Sequence, residues 1–444
     1  MAPVSDPAAD RAPAEARTRA CPAILVAAPA SGQGKTTVVA AMARLFARRG
    51  KRVRVFKSGP DFLDPQIHAV ASGAPVYNLD LGMCGEADAR WRLAAAADEA
   101  DLVIVEGVMG LFDGCPSSAD IAALFGIPVM AVIDARAMAQ TFGAVAHGLA
   151  SYRPGLPFSG VLANRTGSPA HVAMLRAALP PGMRWYGALL RDSEAALPER
   201  HLGLLQALEI PDLLTRLDRL ADALAHTGAG ELPAAVGFAA AAKPLPPLLL
   251  AGRRIAIARD AAYGFIYPAN LDTLRDLGAE LCFFSPLDGD ALPEADAVWL
   301  PGGYPEVHGA RLAARRDLWQ ALRAFAAAGR PVLAECGGMM SLFDTVVDKA
   351  GQRHAFAGIL PGRAVLQPRL VALGTEWLTL PEGRLSGHTY HHSTTETALV
   401  PLVHAQRADG RAGEAVYRVG RVTASYVHLY FPSNPAAVAA LFGR

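Results

Sequence analysis

A chain of 444 residues is long enough for two to three domains, each with its own core. Its 42 Lys and Arg stand against 41 Asp and Glu, so the balance of charge favours neither nucleic acid nor an acidic membrane as partner. No apolar run reaches the roughly 18 residues of a membrane span. Five scattered cysteines (Cys21, Cys84, Cys115, Cys282, Cys336) without metal-ligand spacing argue for a reducing compartment and against a disulfide framework.

Residues 1–20 lack the apolar core of a secretory signal and are expected to be a disordered extension; the expected address is the cytoplasm. An apolar run at 23–27 reads as a buried strand, and a helical pattern runs from 38 to about 49. Between them lies Ala28-Pro29-Ala30-Ser31-Gly32-Gln33-Gly34-Lys35-Thr36-Thr37. Strand, Gly-rich turn, Lys-Thr and helix is the P-loop arrangement for ATP. Backbone N–H groups around Gly32, Gly34 and Thr37 wrap phosphates, Lys35 neutralises them, and the Thr36 hydroxyl reaches Mg²⁺. The strict pattern has Gly where this chain has Pro29. ParA- and MinD-like ATPases share the arrangement but carry a signature lysine where Ala30 stands.

Further continuous apolar runs at 52–56, 102–105, 129–133, 160–163 and 186–190 suit strands of a parallel sheet covered by helices. Residues 21–227 are therefore expected to form an open α/β sheet that gathers ligands at the C-terminal ends of its strands. Gly59-Pro60-Asp61-Phe62-Leu63-Asp64-Pro65 follows the second strand and Lys57. Lys57 suits developing phosphoryl charge, and Asp61 or Asp64 suits Mg²⁺; the alternative is a turn with solvated charges. Glu106 ends the strand 102–105 and is placed to hold Mg²⁺ directly or through water. Asn164 emerges from another strand, where it could read an adenine edge.

Residues 228–252, rich in Pro and Gly, read as a linker. A second α/β pattern fills 253–444, with strands at 254–258, 281–284, 297–300 and 332–334 and a helix over 311–328 that places Leu318, Leu322 and Phe325 on one face. Cys336, in Ala334-Glu335-Cys336-Gly337-Gly338, sits on a tight strand-to-helix turn, where a helix dipole would lower its pKa toward thiolate. Gly302 and Gly303 end another strand and, with Gly337, suit an oxyanion hole. His428 could act as the base for Cys336. Elbow cysteine, Gly-Gly loop and late histidine resemble the class I glutamine amidotransferases. Those commonly carry Glu two residues after the His, where this chain has Tyr430, so a Cys–His dyad oriented by another group is expected.

The four motifs together, Ala-Pro-Ala-Ser-Gly-Gln-Gly-Lys-Thr-Thr, Gly-Pro-Asp-Phe-Leu-Asp-Pro, Leu-Pro-Gly-Gly-Tyr-Pro-Glu and Ala-Glu-Cys-Gly-Gly, closely resemble the cobyrinate and hydrogenobyrinate a,c-diamide synthases. Cobyric acid synthase, the nearest sibling, usually has Ile-Cys-Gly-Gly around its nucleophile. The resemblance implies a dethiobiotin synthetase-like P-loop domain that uses Mg-ATP to phosphorylate corrinoid carboxylates. It also implies a glutaminase domain whose ammonia displaces the phosphate. By the same resemblance Asp61 and Asp64 hold Mg²⁺ or the corrinoid. A regulatory P-loop switch with a degenerate second domain is the rival from another class. The oligomeric state stays open, a homodimer among the options. Gly387-His388-Thr389-Tyr390-His391-His392-Ser393 departs from the family's Gly-His-Glu-Phe-His-Tyr form, and its role stays open between a domain interface, a corrinoid-facing loop and a solvated turn.

Overall fold

Buried aliphatic runs build the first sheet. In the computed structural model, which describes residues 18–200 and 203–443, these runs become strands β1 (Thr18–Ala27), β2 (Val53–Ser58), β3 (Tyr77–Leu79), β4 (Leu102–Glu106), β5 (Val129–Asp134), β6 (Phe158–Thr166) and β7 (Trp185–Leu190). They lie in the order β3-β2-β4-β1-β5-β6-β7, every pair parallel. β4 and β5 are buried throughout, as strands covered on both faces must be. Helix α1 (Lys35–Arg48) starts directly after the glycine turn and buries Val38, Val39, Met42, Leu45 and Phe46 against the sheet.

Two boundaries differ from the sequence reading. β1 begins at Thr18, inside the stretch expected as an extension; residues 1–17 lie outside the described part. Within 228–252, expected to be linker, Ala235–Ala239 forms strand β8, which pairs antiparallel with the start of β1 (Thr18 opposite Ala239). Val236 and Phe238 alternate inward and close the same core as β5 and β6. Two inward residues among prolines and alanines are too short a period-two signal to mark a strand.

The second half has a mixed sheet. Its parallel part runs Glu280–Phe284, Arg254–Ala258, Ala297–Leu300, Val332–Glu335 and Val422–Ser425. Antiparallel strands between 372 and 429 continue it, and a smaller sheet gathers strands between 343 and 396. These later strands have one open face and weak apolar patterning, so the sequence did not mark them. The expected helix over 311–328 is two, Gly309–Ala313 and Arg316–Ala327, with Leu318, Leu322 and Phe325 buried as expected. Among the described residues no helix is long and apolar enough to cross a membrane.

Candidate active site

The first site forms where β1, β2, β4 and β6 end. Gly34 takes φ +94° as the residue before α1, and a Cβ there would lie 2.1 Å from Asn164 Nδ2. Glycine is therefore required twice over, by backbone conformation and by space. Asn164 Nδ2 donates to Gln33 O at 2.9 Å, and the Arg165 guanidinium donates to Gly32 O and the Asp134 carboxylate. The loop is thus held from below by the ends of β5 and β6. Lys35 Nζ donates to Met109 O (2.5 Å) and Ala30 O (3.3 Å). Gly32, Gly34, Lys35, Thr36, Thr37, Lys57, Asp61, Asp64, Glu106 and Asn164 all line one cavity of about 770 Å³. That volume lies within the usual range for a small-molecule site.

Strand register places the charges. Lys57 on β2 lies opposite Glu106 on β4, and Lys57 Nζ reaches Glu106 Oε1 at 3.1 Å, Asp64 Oδ2 at 2.5 Å and Asp61 Oδ2 at 3.7 Å. Burial works against the Lys57 charge, but Asp64, Glu106 and Asp61 outweigh it and hold the ammonium above the ordinary lysine range. Asp61 is pushed up by burial and by the Asp64 charge, although its side chain remains 32 % exposed, which tempers the first cause. Asp64 is lowered: Lys57 overcomes the opposing effect of burial. The two carboxyl groups titrate as a pair. Thr36 Oγ1 donates to Glu106 Oε1 at 2.8 Å, and the fully buried His68 Nε2 pairs with Glu106 Oε2. Among the described residues no group of three or more His, Cys, Asp or Glu is arranged to hold a metal. A hydroxyl beside a carboxylate nevertheless fits Mg²⁺, which takes most of its ligands from water and phosphate.

The second site centres on Cys336, whose φ of +48° is rare for a residue with a side chain. Its N–H donates to Ser425 O at 2.8 Å. A Cβ added to Gly302 would lie 2.1 Å from His428 Cε1, 2.8 Å from His428 Nδ1 and 3.3 Å from Cys336 Cβ, so nucleophile and base flank one glycine. A Cβ on Gly337 would lie 2.6 Å from Gly303 O, which brings the three oxyanion candidates together. The expected thiolate is not found. The helix after Cys336 has four residues, too short for a strong dipole, and burial followed by the Glu306 charge pushes the thiol up. Burial, with His388 and His391 nearby, lowers His428 to about 3. Both shifts favour a thiol and a neutral imidazole over the charged pair.

Tyr430, where class I glutamine amidotransferases commonly carry Glu, is buried and donates its hydroxyl to Asp88 Oδ2 in the first domain at 2.7 Å. The polar run 387–393 is no solvated turn. His388 lies opposite His428 on adjacent antiparallel strands, and His391 pairs with Glu414 Oε1 at 2.8 Å and stacks on Tyr426.

Two family models and several curated relatives match this chain. A model described as "CobQ/CobB/MinD/ParA nucleotide binding domain" matches residues 24–205, and one described as "CobB/CobQ-like glutamine amidotransferase domain" matches residues 254–436. A Pseudomonas aeruginosa protein named hydrogenobyrinate a,c-diamide synthase is 60% identical over 95% of this chain and 97% of its own length. One of the same name from Stutzerimonas stutzeri is also 60% identical, over 96% and 99%. A Herminiimonas arsenicoxydans protein named cobyrinate a,c-diamide synthase is 49% identical over 94% and 96%. This chain belongs to the a,c-diamide synthase family. Within that family frame, three residues of the site escaped the sequence reading. His68 is four residues after Asp64 on helix α2 (Leu63–Ser72), a spacing that puts both on one face and could have marked it. Glu335 Oε1 accepts from Leu429 N–H at 2.9 Å and Oε2 from Trp299 Nε1–H at 3.0 Å, which ties the residue before the nucleophile to the residue after the base. Phe62, between Asp61 and Asp64, packs against His428, a contact across domains with no sequence signal.

Proposed function

We propose that this a,c-diamide synthase family member uses ATP and glutamine to amidate the a and c carboxylates of hydrogenobyrinate or cobyrinate in cobalamin biosynthesis, as a cytoplasmic carbon–nitrogen ligase. The observation that carries the reading is the coexistence of two intact sites in one chain, a P-loop cavity with a buried Lys57–Glu106–Asp64 cluster and a strained Cys336 flanking the same glycine as His428. A free carboxylate resists ammonia because hydroxide leaves poorly. Transfer of the ATP γ-phosphoryl group gives an acyl phosphate, from which phosphate leaves readily. Lys35 and Lys57 supply fixed positive charge to the transferring group, the Gly32–Gly34 turn and Thr37 cradle the phosphates, and Asn164 keeps one amide hydrogen for the base. Asp61 and Asp64 stand at the mouth for the corrinoid or for Mg²⁺. Thr36 and Glu106 would hold Mg²⁺, which supplies charge neutralisation on the phosphates.

At the other site Cys336 Sγ attacks the glutamine side-chain amide while His428 takes the thiol proton and returns it to the leaving nitrogen. Gly302, Gly303 and Gly337 N–H groups face the oxyanion. Ammonia leaves, and water releases glutamate from the thioester. Ammonia then displaces phosphate from the acyl phosphate.

The test is purified protein with Mg-ATP and glutamine, offered hydrogenobyrinate and cobyrinate in parallel, with products read by mass. Diamide and ADP in a 1:2 ratio are expected; ADP formation indifferent to both diacids would reject the reading. Cys336→Ala is expected to lose glutamine-driven amidation yet retain it with free ammonia. Lys35→Ala is expected to lose ADP formation with either nitrogen source while glutamine hydrolysis persists.

A further inference from the structure

A histidine base normally has its ring fixed by a third polar group on the far nitrogen. In His428 no such bond is present among the described residues: its Nδ1, on the side of Gly302, is buried without a hydrogen-bond partner. Tyr430 turns away to Asp88. Two aromatic rings pack near it, one of them from the other domain. Phe62 lies 4.8 Å from His428 between ring centroids, at 50°. Its own ring stacks on Phe265 (5.1 Å, 5°) and Tyr267 (4.3 Å, 27°), and Phe265 lies 6.1 Å from His428 on the same side.

Backbone contacts lock this stack to both sites. Phe265 N–H donates to Gly302 O at 3.0 Å, on the glycine between His428 and Cys336. Tyr267 Oη–H donates to Pro60 O at 3.1 Å, and Gln66 Nε2 donates to Gly264 O at 3.2 Å. The segment 60–66, which carries Asp61 and Asp64 into the nucleotide cavity, is therefore clamped to the loop 264–267 at three points.

We propose that Phe62 is a positioning residue for glutamine hydrolysis: supplied by the carboxylate-activating domain, its ring holds the His428 imidazole in the orientation that a carboxylate sets in a triad. The base is then held in place only while the Asp61–Asp64 segment is docked, so the state of the acid-binding segment sets the competence of the ammonia-producing site. Phe62 acts through the ring of His428 and the Gly302 loop.

The inference rests on the amidotransferase reading above, and the experiment separates the two. Full-length wild type, Phe62→Ala, Phe62→Leu and Phe62→Tyr are compared for glutamate release without the other substrates and for amide formation driven by glutamine or by ammonium chloride. In Phe62→Ala the ratio of glutamine-driven to ammonia-driven rate is expected to fall tenfold or more, with glutamate release falling in step as a loss in kcat. Phe62→Tyr, which restores the ring, is expected to return the ratio to within about threefold of wild type. Phe62→Leu keeps the apolar volume without a ring face, and it carries the comparison should Phe62→Ala lack ammonia-driven activity. Parallel falls in both rates, or an unchanged ratio, overturn the proposal, as does failure of Phe62→Tyr to exceed Phe62→Leu. Wild type that neither releases glutamate nor forms amide would instead overturn the function on which the inference rests.

Discussion

At the residue scale the second site is governed by space and burial rather than by charge pairing. Gly302 admits no side chain, since a Cβ would overlap His428 Cε1 at 2.1 Å. Gly302→Ala is therefore expected to displace the imidazole and lower glutamate release by about 100-fold, the scale of a 1 Å misplacement; release within threefold of wild type would contradict this. Burial holds His428 at about 3 and His388 at about 4, both below the 6.5 of a free imidazole. The folded state thus favours the neutral rings. The stability they confer is complete above pH 6.5 and is lost as pH falls from there toward 4 and 3, by on the order of 4 kcal/mol for His428 over its window. The raised Asp61 and Glu335 carboxyls act in the opposite direction over the same range, so the check is a difference: between pH 7.5 and 5 the wild-type urea midpoint should fall relative to that of His388→Gln, and parallel curves would remove His388 from the account.

At the element scale, β8 completes a domain that the preceding strands leave open. Its Phe238, 4% exposed, fills the face of the sheet beside Val129 and Val161. Phe238→Ala is expected to destabilise by about 3–5 kcal/mol, the usual cost of emptying a buried aromatic site, read from denaturant unfolding. A change under about 1 kcal/mol would mean that the strand contributes little packing. Strand register likewise sets the first site, because pairing β2 with β4 puts Lys57 opposite Glu106. A slip of one residue in β2 would put Lys57 and Glu106 on opposite faces of the sheet.

At the scale of the whole molecule, the two domains are joined by side-chain hydrogen bonds. Tyr430 reaches Asp88, Tyr77 reaches Asp272 at 2.7 Å, and Ser386 Oγ donates to Met83 O at 2.7 Å. Asp88 also accepts from the buried Arg92 guanidinium at 2.7 Å, so it keeps a partner when Tyr430 is lost. Tyr430→Phe should then cost about 1.5–3 kcal/mol, as for one hydrogen bond to a charged group. Calorimetry checks it: the wild-type transition should shift down as a unit, and an unmoved transition would show that the contact is energetically idle.

The sequence by itself determined the two domain types, a nucleotide-binding domain and a glutamine amidotransferase domain. A P-loop is a local object, in which Gly34, Lys35 and Thr36 act through backbone and side chains a few residues apart, and the elbow at Cys336 is equally local. Continuous aliphatic runs also marked the parallel strands, because strands buried on both faces tolerate little else. Tertiary structure decided what depends on long-range register and burial. It brought Lys57, Asp64 and His68 onto Glu106, turned the expected thiolate into a buried thiol, recruited residues 235–239 into the first sheet, and laid Phe62 against a histidine 366 positions later. Apart from the four-residue spacing of Asp64 and His68 and the short alternation at 236 and 238, these carry no sequence signal, because they depend on segments that meet only once the sheets have formed.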